Sequence, residues 1–162
     1  QRVVTVDRER KGALLVHLIE QRDLRQVLVF VSEKKSGDAP LTTLRRAGLD
    51  AAVFHADKSQ AERQRRLAAF RSGALRVLIA TDLAARGLDI EDLPTVINFE
   101  LPRSPNDYVH RIGRTGRAGK SGVAISLVCP AEAQHLGVIE KRIKRRLPRE
   151  EIAGFGVRAT PK

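Results

Sequence analysis

The sequence predicts an α/β protein with an open, mostly parallel sheet and helices on both faces. Short apolar runs recur along the chain, and segments with apolar residues at helical spacing separate them. Residues 27–31 (V-L-V-F-V) and 77–80 (V-L-I-A) are apolar at every position. Continuous runs of this kind are typical of strands that are buried on both faces of a parallel sheet. Strands that alternate with helices indicate this architecture.

Length and composition describe one globular domain. The 162 residues are 42% hydrophobic and 30% charged, which supports a substantial core and excludes intrinsic disorder. Lys and Arg number 30 against 19 Asp and Glu, so the net charge is +11. This excess favours a polyanionic partner, although charge alone does not distinguish nucleic acid from a membrane surface.

Cysteine and methionine are nearly absent. Cys129 is the only cysteine, so we expect no internal disulfide, no thiolate metal cluster and a cytoplasmic location. No apolar run reaches the length of a membrane span, and there is no secretory signal, so no membrane association is expected. Methionine is missing even from position 1, which indicates a processed chain or a piece of a longer one.

The first strand, V-V-T-V, lies within residues 1–7. Residues 10–21 then place four apolar side chains on one face, which predicts a helix that packs on the sheet. These side chains are Leu14, Leu15, Leu18 and Ile19. Residues 27–31 follow as a central strand.

A polar loop is predicted at residues 32–38, before the second helix. Asp38 is a candidate cap for that helix, which should end at Gly48. Pro40 predicts a late start, because proline inside a helix removes a hydrogen bond. The next strand is residues 51–54.

The third helix has the clearest start signal of the first half. Ser59 with Glu62 three residues later is a capping box, and Leu67 and Phe70 should face inward. Residues 77–80 form the strand that follows.

The last third of the chain supplies two more strands and the final helix. The strands are residues 96–97 and 123–128. The helix should span residues 131–147, expose a row of Lys and Arg, and end at Pro148. Residues 156–162 are expected to be a frayed tail.

Ligands of open parallel sheets sit at the carboxyl ends of the strands. That rule selects His55, the pair Thr81-Asp82 and the loop that enters the segment after Ser104. Ser104 is a candidate N-cap with Pro105 at the first helical position, and this short helix should end near Gly113.

Residues 108–119, Y-V-H-R-I-G-R-T-G-R-A-G, are the most informative stretch. Arg111, Arg114 and Arg117 recur every three residues among glycines, so their guanidinium groups are expected to converge on one small volume. Because no carboxylate lies close by in sequence, the expected resident is an anion with forked oxygens, most naturally phosphate. The alternative is a solvated basic face.

Residues 81–90, T-D-L-A-A-R-G-L-D-I, are the second informative stretch. Thr81 and Asp82 can cap the turn that follows, and free N–H groups at a helix start suit phosphate. Gly87 permits a close backbone approach, and Asp89 offers an acceptor for a ribose hydroxyl. The alternatives are a local turn cap for Asp89 and an ion pair of Arg86 with Asp82 or Glu91.

Three blocks in this order carry a family resemblance. They are A-D-K-S-Q-A-E-R, then F-R-S-G-A-L-R-V-L-I-A-T-D-L-A-A-R-G-L-D-I, then D-Y-V-H-R-I-G-R-T-G-R-A-G. Over about residues 3–155 the chain resembles the second, C-terminal RecA-like domain of DEAD-box ATP-dependent RNA helicases. The resemblance implies a RecA-like fold for residues 1–155.

The resemblance also assigns roles to single residues. It implies RNA-backbone contacts for Gln60, Arg63, Thr81, Arg86 and Gly87. It implies nucleotide contacts for Gly87 and Asp89, and arginine fingers on the γ-phosphate of ATP for Arg114 and Arg117. His110 and Arg111 would couple this domain to the N-terminal RecA-like domain.

Two features depart from the family pattern. The segment S-G-D-A-P at residues 36–40 replaces a helical segment rich in Ala and Leu, which leaves RNA contact by residues 32–37 open. The phosphate loop G-x-x-x-x-G-K-[ST], D-E-A-D and S-A-T are absent, and all three belong to the N-terminal domain. That domain would hold most of the ATP and its Mg²⁺.

The function implied is therefore half of an ATP hydrolase that unwinds short RNA duplexes. Contacts directed at the backbone predict weak sequence preference and a marked dependence on salt. One alternative is a non-catalytic RNA-binding or scaffolding module, against which the retention of Asp89, Arg114 and Arg117 argues. A DNA-directed helicase is the other, and H-R-I-G-R-T-G-R fits the RNA family more closely.

Overall fold

The computed structural model describes residues 1–54, 59–85, 93–114 and 122–157, apart from the side chain of Lys34. Within these ranges the strands are β1 (Arg2–Thr5), β2 (Val27–Phe30), β3 (Ala51–Phe54), β4 (Val77–Ala80), β5 (Thr95–Asn98), β6 (Val123–Val128) and β7 (Arg149–Glu150). The helices are α1 (Lys11–Gln21), α2 (Asp38–Arg46), α3 (Gln60–Ser72), α4 (Asp82–Ala85), α5 (Pro105–Ile112) and α6 (Ala133–Ile143).

The described strands form one parallel sheet in the order β3-β4-β2-β5-β6-β1-β7. At its centre, Val27 of β2 pairs with Val77 of β4 on one side and with Thr95 of β5 on the other. The strands β2, β3, β4 and β5 are buried at every position. The parallel sheet predicted from the continuous apolar runs is confirmed.

Helices cover both faces of the sheet, also as predicted. Alternate strand residues such as Val29, Val53 and Ile79 share one core with the apolar sides of α1 and α2. On the opposite face, Leu28, Phe30 and Leu78 share a core with α3 and α4. On that same face, Val3 and Val128 pack against α5 and α6. The carboxyl ends of β4, β2 and β5 therefore lie side by side beneath α4 and α5.

The start of the second helix was predicted wrongly. Asp38 is the first residue of α2 and does not cap it, since Gly37 holds the cap position and residues 34–37 form a turn of 3-10 helix. Pro40 is the third residue of α2 and is buried. The first N–H groups of a helix have no partner within it, so a proline there loses no hydrogen bond.

The end of the last helix was also predicted wrongly. It ends at Ile143, because Lys144 adopts a left-handed conformation with φ 58° and ψ 41°. The backbone N–H of Leu147 donates to the carboxylate of Glu140 at 2.7 Å, which draws the chain back against the helix. Leu147 is buried, but it lies outside the helix. Pro148 therefore plays no part in ending α6.

No helix in the described ranges is both long and apolar enough to cross a membrane.

Candidate functional site

The candidate site lies at the carboxyl edge of the sheet, where β2 runs between β4 and β5. Helix α4 follows β4 and helix α5 follows β5, so the two helices meet above Phe30, the last residue of β2. The start of α5 is as predicted: Ser104 Oγ accepts a hydrogen bond from the N–H of Asp107 at 3.2 Å, with Pro105 at the first position. Burial of Tyr108 anchors α5 and raises the pKa of its phenol to about 12.

Arg111 joins α5 to α4 and is only 1% exposed. Its Nε and Nη2 donate to the two carboxylate oxygens of Asp82 at 2.7 and 2.8 Å. Its Nη1 donates to the carbonyl of Glu100 at 2.6 Å and to Asn98 Oδ1 at 3.3 Å. The guanidinium carbon lies 4.9 Å from the centre of the Phe30 ring. This buried, two-pronged pair holds the helices together.

The expectation that three guanidinium groups converge on an unoccupied anion site is therefore wrong for Arg111. Its carboxylate partner is distant in sequence and becomes a neighbour because β4 and β5 flank the same strand. From the sequence, Asp82 was proposed as an ion-pair partner of Arg86. Asn98 and Glu100 were not identified as partners of Arg111. Asn98 is a polar side chain directly after the apolar pair Val96-Ile97, and that was the available signal.

Arg114 follows α5 and is partly buried. Its Nη2 donates to the carbonyl of Ala85 at 3.1 Å, and its own carbonyl accepts the N–H of Leu93 at 2.9 Å. Ala85 and Leu93 flank residues 86–92, which lie outside the described residues. Arg114 therefore bonds to the two described residues on either side of the segment that contains Gly87 and Asp89.

Two clefts open at this edge and share Asp82 and Asp107. The larger, of about 400 Å³, is lined by Ser32, Glu33, Thr81, Asp82, Leu83, Arg103 and Asp107. The smaller, of about 130 Å³, is lined by Phe30, Asp82, Ala85, Asp107, His110, Arg111 and Arg114. Thr81 thus lines the larger cleft and Arg114 lines the smaller one. Asp82, the partner of Arg111, lines both clefts. His110 is exposed beside the smaller cleft.

The described residues proposed for RNA contact sit at two helix starts. Thr81 Oγ1 accepts the N–H of Ala84 at 3.2 Å, so the predicted cap of α4 is confirmed. Ser59 Oγ accepts the N–H of Glu62 at 3.2 Å, which confirms the predicted cap of α3. Gln60 is exposed at the first position of α3.

Arg63 lies one turn into α3. Its guanidinium carbon is 5.1 Å from the centre of the Phe54 ring. Its Nε is buried and has no hydrogen-bond partner among the described residues. The buried Nε is not accessible to a ligand, but the residue is partly exposed and the Phe54 ring holds the guanidinium in place, so its terminal N–H groups suit an anionic ligand.

The other candidate residues, His55, Arg86, Gly87, Asp89 and Arg117, lie outside the described residues. In the part of the chain that is described, no three His, Cys, Asp or Glu side chains are grouped so as to hold a metal ion. The smaller cleft is lined by the guanidinium of Arg114 and the imidazole of His110 together with the carboxylates of Asp82 and Asp107, and Asp82 is already paired with Arg111. The two basic groups are the ones suited to phosphate oxygens.

Comparison with known proteins identifies the family. Residues 10–119 match the family described as helicase conserved C-terminal domain. The DEAD-box ATP-dependent RNA helicase CshA of Geobacillus kaustophilus is 42% identical over 149 residues, which cover 92% of this chain and 32% of that protein. The chain thus spans about a third of the length of this relative.

Solved structures agree with this match. The chain of the Escherichia coli DEAD-box protein SrmB, crystallised with regulator of ribonuclease activity A, superposes with a TM-score of 0.91 at 37% identity; the alignment covers 100% of this chain and 97% of that one. Dbp5 of Saccharomyces cerevisiae, bound to RNA and ADP BeF3, superposes with a TM-score of 0.83 at 32% identity, over 93% of this chain and 41% of that one. The chain therefore belongs to the helicase conserved C-terminal domain family, as the C-terminal RecA-like domain of a DEAD-box RNA helicase.

Proposed function

We propose that this chain is the C-terminal half of an ATP-dependent RNA helicase, which grips the RNA backbone and supplies arginine fingers to the ATP hydrolysis that drives local duplex unwinding. The observation that carries the proposal is the buried Arg111–Asp82 pair. It fixes the helix that leads to Arg114 against the helix that Thr81 caps. Arg114 and the Thr81 hydroxyl line neighbouring clefts, an arrangement that would let one domain contact the nucleotide with Arg114 and RNA with Thr81.

Arg114 and Arg117 are assigned to the γ-phosphate of ATP. The Arg114 side chain lines the smaller cleft, and the carbonyl of Ala85 is among the groups it contacts. A guanidinium presents several N–H donors in a planar fork that matches phosphate oxygens. Arg114 would turn this fork to the γ-phosphate when the N-terminal domain closes. Gly87 and Asp89 are assigned to the nucleotide, with Asp89 on the ribose.

His110 and Arg111 are assigned to coupling between the two domains, by different routes. His110 is exposed on α5 and is available to the N-terminal domain. Arg111 is buried, so it acts through the position of α5 rather than by contact with the other domain. Most of the ATP and its Mg²⁺ would be held by that N-terminal domain, which contributes the phosphate loop.

Gln60, Arg63, Thr81, Arg86 and Gly87 are assigned to the RNA backbone. The Thr81 hydroxyl oxygen accepts from Ala84, so its proton remains available to a phosphate oxygen. The Arg63 guanidinium, held over Phe54, is the corresponding donor on α3. Contacts of this kind position the strand and carry little sequence information. Dbp5, which shares this fold over 41% of its chain, has been solved bound to RNA and ADP BeF3, and this supports RNA and a nucleotide as the ligand classes.

We expect this chain alone to fold and not to hydrolyse ATP. The groups that hold the triphosphate and Mg²⁺ belong to the N-terminal domain, so the arginine side chains have no substrate to act on. Phosphate release by the purified chain, measured with saturating RNA, should equal that of a heat-inactivated sample. RNA-stimulated turnover that co-elutes with the chain on gel filtration would refute the division of labour.

We expect Arg63→Ala to weaken binding of single-stranded RNA and to flatten its salt dependence. Loss of one phosphate contact should lower the slope of log K against log salt by about 0.7. The measurement is a titration by fluorescence anisotropy at several salt concentrations. Arg46→Ala is the matched control, since Arg46 is exposed at the end of α2 on the opposite face of the sheet. Equal slopes for Arg63→Ala and the parent would remove Arg63 from the RNA path.

A further inference from the structure

Five cations lie close together in the last turn of α6 and in the residues that follow it. The basic cluster consists of Lys141, Arg142, Lys144, Arg145 and Arg146, five cations within six residues. All five side chains are exposed. In the ranges that the structure describes, no hydrogen bond or ion pair is recorded for any of these side chains. Like charges this close repel one another, so the cluster carries an energetic cost in the isolated domain.

The nearby carboxylate does not neutralise the cluster. Glu140 accepts from Arg149 Nη2 at 2.7 Å and Nη1 at 2.8 Å, and from the N–H of Leu147 at 2.7 Å. These bonds, above all those from Arg149, hold the pKa of Glu140 below its ordinary value, so it stays ionised and engaged. Its hydrogen bonds close the chain after α6. Among the five cations, Arg146 adds an electrostatic interaction with Glu140 but no hydrogen bond to it is seen in the described residues, so one carboxylate faces a cluster of five positive charges.

The helix itself explains only part of the cluster. Lys141 and Arg142 lie in the last turn of α6, where positive charge stabilises the negative end of the helix dipole. Lys144, Arg145 and Arg146 follow the helix and have no such role. Three exposed cations, two of them arginines with planar forks suited to phosphate, therefore lack a function in the fold.

The basic cluster lies at the edge of the sheet opposite the candidate site. Helix α6 starts beyond the carboxyl end of β6 and returns to the amino end of β1, where Pro148 accepts the N–H of Val3 and Arg149 pairs with Val3. A six-residue strand such as β6 spans about 20 Å. The cluster is therefore about that far from the clefts that hold Thr81 and Arg114.

We infer that the basic cluster is a second contact for the RNA backbone, used by strands or duplex flanks that extend beyond the clefts at the carboxyl edge. This inference rests on the proposed function, since it takes RNA as the polyanion. The unpaired arginines and lysines would exchange their hydration and counterions for phosphate oxygens, which gains affinity without sequence preference. The cluster would increase affinity for long RNA and leave the affinity for short RNA unchanged.

The test compares two RNA lengths and two sets of variants. One RNA has about six nucleotides, enough for a single grip, and the other has about 30. The cluster variant is Lys144→Gln/Arg145→Gln/Arg146→Gln, which spares the helix and the Glu140–Arg149 pair. Single changes at these positions are compared with Arg46→Gln, an exposed arginine on the opposite face of the sheet that loses the same charge.

The cluster variant should bind the long RNA at least about tenfold more weakly at roughly 0.1 M salt, and its salt slope should fall by about 2, the effect of three lost phosphate contacts. Its affinity for the short RNA should equal that of the parent. Arg63→Ala should weaken binding of both RNAs. If Arg63→Ala and Arg63→Glu both bind the short RNA as tightly as the parent, the proposed RNA path is contradicted. The result for the basic cluster would still stand.

Two outcomes would overturn the second contact. The first is a triple variant that binds the long RNA as tightly as the parent. The second is a loss per charge that matches Arg46→Gln, which would mean that only net charge matters. Unchanged RNA binding together with weaker capture by vesicles that contain anionic lipid would assign the cluster to a membrane surface instead.

Discussion

Arg114→Lys and Arg117→Lys should each lower RNA-stimulated ATP turnover at least about tenfold in a protein that carries both domains. A finger must present a planar fork to phosphate oxygens whose charge grows in the transition state. The ammonium of lysine is a point charge on a flexible stem and does not reproduce that fork. Arginine fingers contribute on the order of 10³ to 10⁵ in rate, or about 4–7 kcal/mol of barrier, so tenfold is a cautious floor.

The control for this measurement is Arg46→Lys, which alters an exposed arginine on the opposite face of the sheet. Thermal stability should change little in Arg114→Lys, since Arg114 is partly exposed and lysine keeps the positive charge and an N–H donor at this position. Near-parental turnover by both folded lysine variants would leave a solvated basic face as the better description.

Arg111→Ala should destabilise this chain by about 3–5 kcal/mol, because it leaves the Asp82 carboxylate and the Glu100 carbonyl without their buried donor. For a domain of this size the melting temperature should fall by about 6–20 °C. Differential scanning calorimetry of the purified chain measures the shift directly. Arg46→Ala, which removes an exposed arginine, should stay within about 0.5 kcal/mol of the parent.

A double-mutant cycle with Asp82→Asn tests whether the ion pair itself is responsible. The two changes should couple by at least about 1 kcal/mol, since each alone strands the other member of the pair. A melting temperature for Arg111→Ala close to that of Arg46→Ala would contradict the structural role of the pair.

Those parts of the fold that depend on local patterns were predictable. The continuous apolar runs located β2 and β4, and the caps at Ser59 and Ser104 located the starts of α3 and α5. Each of these signals depends only on residues that are close together in the sequence, so it can be recognised without the structure.

The features that were missed depend on residues distant in sequence or on a few backbone angles. Arg111 and Asp82 meet only because three strands lie in the order β4-β2-β5. The two-residue strand β7 is polar and exists because Glu140 turns the chain back toward β1. The left-handed Lys144 ends α6 at a residue that usually continues a helix. No pattern of composition or spacing encodes such events.

The position of β1 constrains the order in which the fold can be completed. Arg2 pairs with Ile125 of β6 and Val3 with Arg149 of β7, so both neighbours of this strand come from the last part of the chain. The block β3-β4-β2-β5 can pair without them, whereas the backbone of β1 has no strand partner until β6 has been synthesised, although α1 can already cover Val4. Contacts between such distant segments form slowly, because the loop must close before any pairing stabilises it. An apolar strand that is synthesised early and paired late can pair with the sheets of other chains in the meantime. Such exposed strands are the surfaces that chaperones bind.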